Sequence, residues 1–176
     1  AWGYDTVFSR FSECQQIFED EFSLLLSNFL KYSQYTKEAI VDVGNLEEGV
    51  YEREYDTVPF WYHCDCGSKA RLTAGYEYGF LVGSGECLRC GREYEMKFGL
   101  DNEYGLSGIA SRISARSLSM PLIFFDGLKV GCYVGGVGGS EYLRQASLVA
   151  GNMDMPFPPI VIWRPKDVYF GVGQLE

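Results

Sequence analysis

Four of the chain's six cysteines stand in two close pairs, Cys64-Asp65-Cys66-Gly67 and Cys87-Leu88-Arg89-Cys90-Gly91. Nothing else in the sequence restricts the fold as strongly. A glycine directly after the second cysteine of each pair lets the backbone turn tightly, so that amide N–H groups can point at the thiolate sulfurs. Four thiolates brought together this way meet the tetrahedral demand of a structural zinc ion. Strand-like pieces surround them, at Phe60–His63, Ala70–Thr73, Tyr78–Val82 and Tyr94–Phe98, and predict a β-rich zinc ribbon over residues 57–99. The Cys87/Cys90 half has the common two-residue spacing; the Cys64/Cys66 half has one residue. His63, the single histidine, stands at the more usual distance from Cys66 and is an alternative fourth ligand in place of Cys64. Four thiolates leave no open position for water, so the expected Zn2+ serves folding and not chemistry.

Other uses of these cysteines fit less well. No signal-peptide pattern opens the sequence, and in a reducing compartment the thiols stay free, which disfavours paired disulfides. A thioredoxin-like pair at Cys87/Cys90 wants a helix N-terminus, whereas Gly91–Met96 reads as a strand. Cys14, on an apolar helix face, and Cys132, inside a strand-like run, read as buried hydrophobes.

Upstream of the ribbon, Val7, Phe8, Phe11, Cys14, Phe18, Phe22, Leu25 and Phe29 recur every three or four positions. They predict one helix from Thr6 to about Tyr32, capped by Asp5 or Thr6. A shorter helix is expected from Thr36 to Val43, ended by Gly44. The acidic stretch Glu47–Asp56 reads as a linker. Downstream, strand-length apolar pieces at Leu122–Phe125, Val130–Val134 and Ile160–Trp163 flank one helical candidate, Ser140–Ala150. Strand, glycine turn, helix, strand is the βαβ order of a parallel sheet. The expected architecture is therefore α/β: a helical segment and linker (residues 1–56), an inserted zinc ribbon (57–99) and a Rossmann-like segment (100–174). Leu175 and Glu176 have the composition of a restriction-site scar, and with the start at Ala1 they lead to the expectation of a fragment of a longer protein.

Charge narrows the partners. Fifteen Lys+Arg against 24 Asp+Glu give a formal net charge of −9, which repels phosphate backbones and anionic membranes. No apolar run reaches the length of a membrane helix, and a soluble, cytoplasmic protein is expected. Within the ribbon, Lys69, Arg71, Arg89, Arg92 and Lys97 balance Asp65, Glu77, Glu86, Glu93 and Glu95. Nucleic-acid binding then depends on stacking by Trp61, Tyr62 and Tyr76, for which packing over a metal-stapled mini-core is the competing reading.

The second informative segment is Cys132-Tyr133-Val134-Gly135-Gly136-Val137-Gly138-Gly139-Ser140-Glu141-Tyr142. Apolar residues run into four glycines and then a helix beginning near Ser140. Glycines let a ligand approach the backbone, and a helix N-terminus offers free N–H groups and partial positive charge to an anion. The spacing matches neither Gly-x-Gly-x-x-Gly nor a Walker loop. Gly135, Gly136, Gly138, Gly139 and Ser140 are thus candidate contacts for a small anionic or nucleotide-like ligand. Arg164, after the last strand, joins them, because open α/β sheets place ligands at the carboxyl ends of their strands. Asp126 and Asp154 are read as loop carboxylates. Gly105-Leu106-Ser107-Gly108 lacks the Gly-x-Ser-x-Gly of a hydrolase elbow.

This segment resembles the bacillithiol-biosynthesis cysteine-adding enzyme (BshC) family. There, Ser-Pro-Asn-Val-x-x-Arg-Pro-Leu leads to Ala-Tyr-Ile-Gly-Gly-Pro-Gly-Glu-x-x-Tyr, then to Pro-Met-Pro and an Arg. Here Ser114-Ala115-Arg116-Ser117-Leu118-Ser119-Met120-Pro121-Leu122 leads to Cys132–Tyr142, then to Met155-Pro156-Phe157-Pro158-Pro159 and Arg164. Met120 replaces the family's Arg, Gly139 its Glu, and the ribbon points to a divergent branch. The resemblance implies a Rossmann-like core, a coiled-coil domain and a nucleotide site. It also implies a ligase that joins cysteine to glucosaminyl malate, in a protein longer than this chain. On that reading the isolated fragment is inactive, and no residue here stands out as catalytic acid, base or nucleophile. The alternative is a zinc-ribbon module that docks protein or RNA without catalysis.

Overall fold

The computed structural model describes residues 15–42, 56–99, 106–116 and 118–164, which form a mixed α/β fold. Two helices, α1 (Gln15–Ser27) and α2 (Phe29–Asp42), come first. The sequence predicts one helix through Tyr32 and a separate one from Thr36. Instead the division falls at Asn28, and the second helix takes in both Phe29–Tyr32 and the Thr36 segment. Backbone bonds still cross the junction, from Asn28 N–H to Leu24 O and from Tyr32 N–H to Asn28 O. What disturbs it is side-chain competition. The Ser27 hydroxyl donates to Ser23 O at 2.7 Å, and the Asn28 amide donates to Leu24 O at 3.1 Å. Such back-bonding to the preceding turn bends helices. The expected stretches Thr6–Cys14 and Val43–Gly44, and Cys14 with them, lie outside the described residues.

Four strands follow: β1 (Thr57–His63), β2 (Lys69–Glu77), β3 (Phe80–Glu86) and β4 (Glu93–Gly99). They pair antiparallel in order, and a short strand, β5 (Ile113–Ala115), adds to the far side of β1 to give the sheet β4-β3-β2-β1-β5. The sheet therefore crosses the boundary expected near residue 99. Tyr78 and Gly79, with φ of 49° and 85°, make the two-residue turn between β2 and β3, the left-handed pair that matches strand twist in a tight hairpin. The β1–β2 register slips between Thr57 and Trp61, around Pro59, which has no N–H to give a ladder.

Alternation in β1 sends Val58, Phe60 and Tyr62 inward, joined by Ala70 and Leu72 of β2, Leu81 of β3, Phe98 of β4 and Ile113 of β5. Phe18, Phe22 and Leu25 of α1 cover this face; the Phe22 ring meets Phe60 edge-on at 6.2 Å. Residues 119–127 form helix α3 (Ser119–Gly127), so the strand expected at Leu122–Phe125 is a helix. Its sequence misleads because Pro121, Leu122, Ile123 and Phe125 are all buried, leaving no polar stripe to reveal the helical period. Pro121 sits within the first turn, where its missing N–H costs nothing.

A second, two-stranded parallel sheet pairs β6 (Tyr133–Gly136) with β7 (Ile160–Trp163), Tyr133 opposite Ile160 and Gly136 opposite Trp163. Between them run a 3-10 turn, Val137–Gly139, and helix α4 (Ser140–Asn152). The strand expected from Val130 starts at Tyr133, and Cys132, expected to be buried, is exposed. Lys129, at φ 51°, and Gly131 keep the chain in a turn up to that point. Helix α4 buries Leu143, Ala146, Val149 and Ala150 against α2 and α3. No described helix is long and apolar enough to cross a membrane.

Candidate metal centre

Two turns carry the cysteines to one end of the sheet. After β1, Cys64 N–H donates to Ser68 O and Gly67 N–H to Cys64 O, with Gly67 at φ +81°. After β3, Cys87 N–H donates to Arg92 O and Gly91 N–H to Cys87 O, with Gly91 at φ +68°. A side chain would strain either glycine. Leu88 N–H donates to Lys69 O and Ala70 faces Cys87 in an isolated bridge, so the second turn is stitched to β2.

The Sγ atoms of Cys64, Cys66, Cys87 and Cys90 all lie within 4.8 Å of one another. Cys64 and Cys90 stand 3.6 Å apart, Cys66 and Cys87 3.5 Å. All four are free thiols. Zn–S bonds of ~2.3 Å in a tetrahedron put sulfurs about 3.8 Å apart, close to this spacing without displacement of either turn. Four nearby cysteines can thus hold a metal ion. His63 is not among them: its Nε2 lies 2.7 Å from the Ser114 hydroxyl of β5.

The thiols already differ. Backbone N–H groups of Cys90 and Arg89 pull the Cys87 thiol down to about 6. Cys64 is lowered chiefly by the nearby Tyr94 hydroxyl, then by the Cys66 backbone. The same contact pushes Tyr94 up to about 12. For Cys66 the Ser68 backbone lowers, but the sulfur of Cys87, desolvation and the sulfurs of Cys64 and Cys90 outweigh it and carry it to about 12. Cys87 thus offers a thiolate at neutral pH, the state a metal needs.

Sequence reasoning missed the groups around the sulfurs. Asp65 receives Arg92 Nη1 at 2.8 Å on one carboxylate oxygen and Arg112 Nη2 at 2.7 Å on the other. These two guanidinium groups hold its carboxyl below the usual range, Arg112 the more strongly. The one-residue gap in Cys-x-Cys was the available signal for Asp65; Arg112 gave none.

Of the expected stacking residues Tyr62 is buried, Trp61 half-buried and Tyr76 exposed. Lys69 Nζ stands 4.3 Å from the Trp61 ring centre, and the buried Arg116 guanidinium stands 4.9 Å from it. Tyr62 is buried against Tyr94, ring centres 4.7 Å apart. Tyr76 is 42% exposed and packs beside Phe29.

The glycine turn has a different character. Gly135 and Gly136 end β6, Gly138 and Gly139 lie in the 3-10 turn, and Ser140 opens α4. Parallel pairing of Gly136 with Trp163 brings Arg164 to the same carboxyl edge. The Ser140 hydroxyl donates to Val137 O at 2.8 Å. None of these glycines has positive φ, and a Cβ at Gly136 or Gly138 meets nothing within 4 Å. Neither glycine is required by the fold itself. Asp126, expected in a loop, lies in the last turn of α3, its side chain mostly covered and held by Lys129 at 2.5 Å, and Asp154 is exposed. No protein-family model matches the chain, and no curated protein is significantly similar to it.

Proposed function

We propose that Cys64, Cys66, Cys87 and Cys90 hold one structural zinc ion, which closes a zinc ribbon made by β1–β4. The observation that carries this reading is the convergence of four free thiols within 4.8 Å at the ends of two glycine-closed turns. The zinc organises the sheet end; its closed thiolate set provides no reactive position. Cobalt substitution tests it: Co2+ bound by four thiolates gives intense visible and sulfur-to-metal absorption. A weak, octahedral-type spectrum contradicts the site.

We further propose that β6, the glycine turn, α4 and β7 are a piece of a Rossmann-like domain in a BshC-like ligase that adds cysteine, or a similar thiol, to a small sugar acid. Three observations support this. The parallel β6–α4–β7 unit has the required order. Gly136 and Gly138, at and just past the carboxyl end of β6, have open space where a Cβ would stand, whereas a Cβ at Gly135 would meet the Tyr133 ring at 2.7 Å. Val134, Val161 and Trp163 leave one sheet face apolar and bare, at 63%, 49% and 62% exposure, whereas parallel sheets are covered on both faces. In this account the turn and α4 receive the anionic or nucleotide-like ligand, with Arg164 assisting.

The full-length protein, supplied with cysteine, glucosaminyl malate and ATP, should yield the coupled thiol by mass spectrometry, and Gly136→Val should abolish it. Folded, zinc-loaded protein that makes no product contradicts the ligase and leaves the ribbon as a docking module.

A further inference from the structure

The residues beside the metal ligands point away from the ribbon. Asp65, between Cys64 and Cys66, bridges Arg92 of the second cysteine turn and Arg112, which ends a 3-10 turn, Ala110–Arg112, leading directly into β5. His63, next to Cys64 on the other side, reaches Ser114 within β5. The Arg112 guanidinium also lies over the Tyr62 ring, 6.0 Å from its centre. Both neighbours of Cys64 thus grip the same segment, residues 112–114. Strand β5 is three residues long, all of them buried, and among the described residues it pairs with β1 alone. It continues through the buried Arg116, which contacts Thr57, to Ser119, whose hydroxyl donates to Pro59 O at the start of α3.

We propose that the cysteine centre is a metal-responsive latch on β5. This rests on the zinc reading above. With metal bound, the first cysteine turn is fixed, and Asp65 and His63 stand where they hold Arg112 and Ser114. With metal lost, the turn carrying Asp65 is free to rearrange, and β5 loses its grip at the end nearest the centre. The ribbon's metal state is thereby transmitted to the segment that feeds α3 and, beyond it, β6 and the glycine turn. Strand β5 is short and lies at the edge of its sheet, where local opening can precede global unfolding. A single exposed ion pair would be a weak restraint; one carboxylate shared by two guanidinium groups, next to a histidine bond on the same segment, is a network.

Amide hydrogen exchange of peptides spanning 109–118 tests this in the full chain, with zinc content measured on each sample. Removing zinc from the wild type should raise β5 exchange. Zinc-loaded Asp65→Asn should retain one metal per chain yet exchange about fivefold to tenfold faster in β5 than zinc-loaded wild type, and Ser114→Ala should show a smaller rise. Zinc-loaded Asp65→Asn with wild-type protection in β5 overturns the latch and leaves the zinc site standing. So does wild-type protection that survives zinc removal. A chain that takes up no zinc overturns both.

Discussion

Gly85 offers a severe test of the sheet end that carries the cysteines. A Cβ built on it stands 2.1 Å from Arg71 O, 3.1 Å from Arg71 C and 3.3 Å from Leu72 Cα. All three are backbone atoms that no rotamer change moves. Contacts below 3.0 Å are essentially never found for real Cβ atoms, so β3 must shift from β2 by about 1 Å in a close-packed interior. The shift falls between the Thr73–Ser84 pair and the Ala70–Cys87 bridge. Weakening the hydrogen bonds on both sides costs about 2 kcal/mol, and residual strain adds about 1 kcal/mol. Gly85→Ala should therefore lose about 3 kcal/mol in urea unfolding, or about 6–12 °C in Tm for a chain of this size. Because Cys87 lies two residues on, the variant should also surrender zinc faster to a competing chelator. Gly75→Ala is the control: its Cβ meets Val82 O at an ordinary 4.0 Å, and it should unfold within about 0.5 kcal/mol of wild type. If the two variants are equally stable, the close approach of β3 to β2 is wrong.

Three further outcomes follow from the same structure. Gly136→Val enters open space at φ −79° and should stay within about 0.5 kcal/mol of wild-type stability; a large loss by thermal melting would mean the turn is structural and not a ligand surface. Acid should release zinc, because the metal competes with protons for thiolates. All four thiols must be deprotonated to bind the metal, and bound metal holds them so, so zinc should be retained at pH 7 and lost on acidification. Release that begins above pH 7 on a colorimetric zinc assay contradicts this. Burial raises the Glu21 carboxyl, offset in part by its own backbone N–H; nearby Asp126 and Asp20 raise it further, and Lys129 lowers it. The folded state then holds a proton that the unfolded state releases, and stability falls as pH rises from the unfolded value through the raised folded one. Glu21→Gln should be more stable than wild type at pH 7, the gap closing toward pH 4; urea midpoints that keep a constant gap refute it.

The cysteine turns were legible in the sequence because their information is local: two cysteines and a glycine within four or five residues specify the turn. Most strands of residues 57–99 were legible because short apolar pieces are punctuated by glycine and cysteine, but the one expected at Tyr78–Val82 begins at Phe80, since Tyr78 and Gly79 form the turn. The helix α4 and strand β7 were legible for the same reason, a period broken at its ends. Helix α3 was not, since Pro121–Phe125 is buried on nearly every side and an apolar run of that length reads equally as a strand. The break at Asn28 was hidden because it depends on which carbonyls Ser27 and Asn28 choose. The bridge from Asp65 to Arg112 joins residues far apart in sequence, and a charge count cannot pair them. Cys132 shows the converse failure: flanking Val130, Tyr133 and Val134 suggested burial, but the chain has not yet entered the strand at that residue.

Native mass spectrometry of the purified chain, with elemental analysis, reads directly whether four cysteines hold a single structural zinc. One zinc per chain is expected, absent from Cys87→Ser, whose residues 57–99 should also lose their amide protection. A natively folded chain without metal, or a Cys87→Ser variant that keeps both its zinc and its protection, would contradict it.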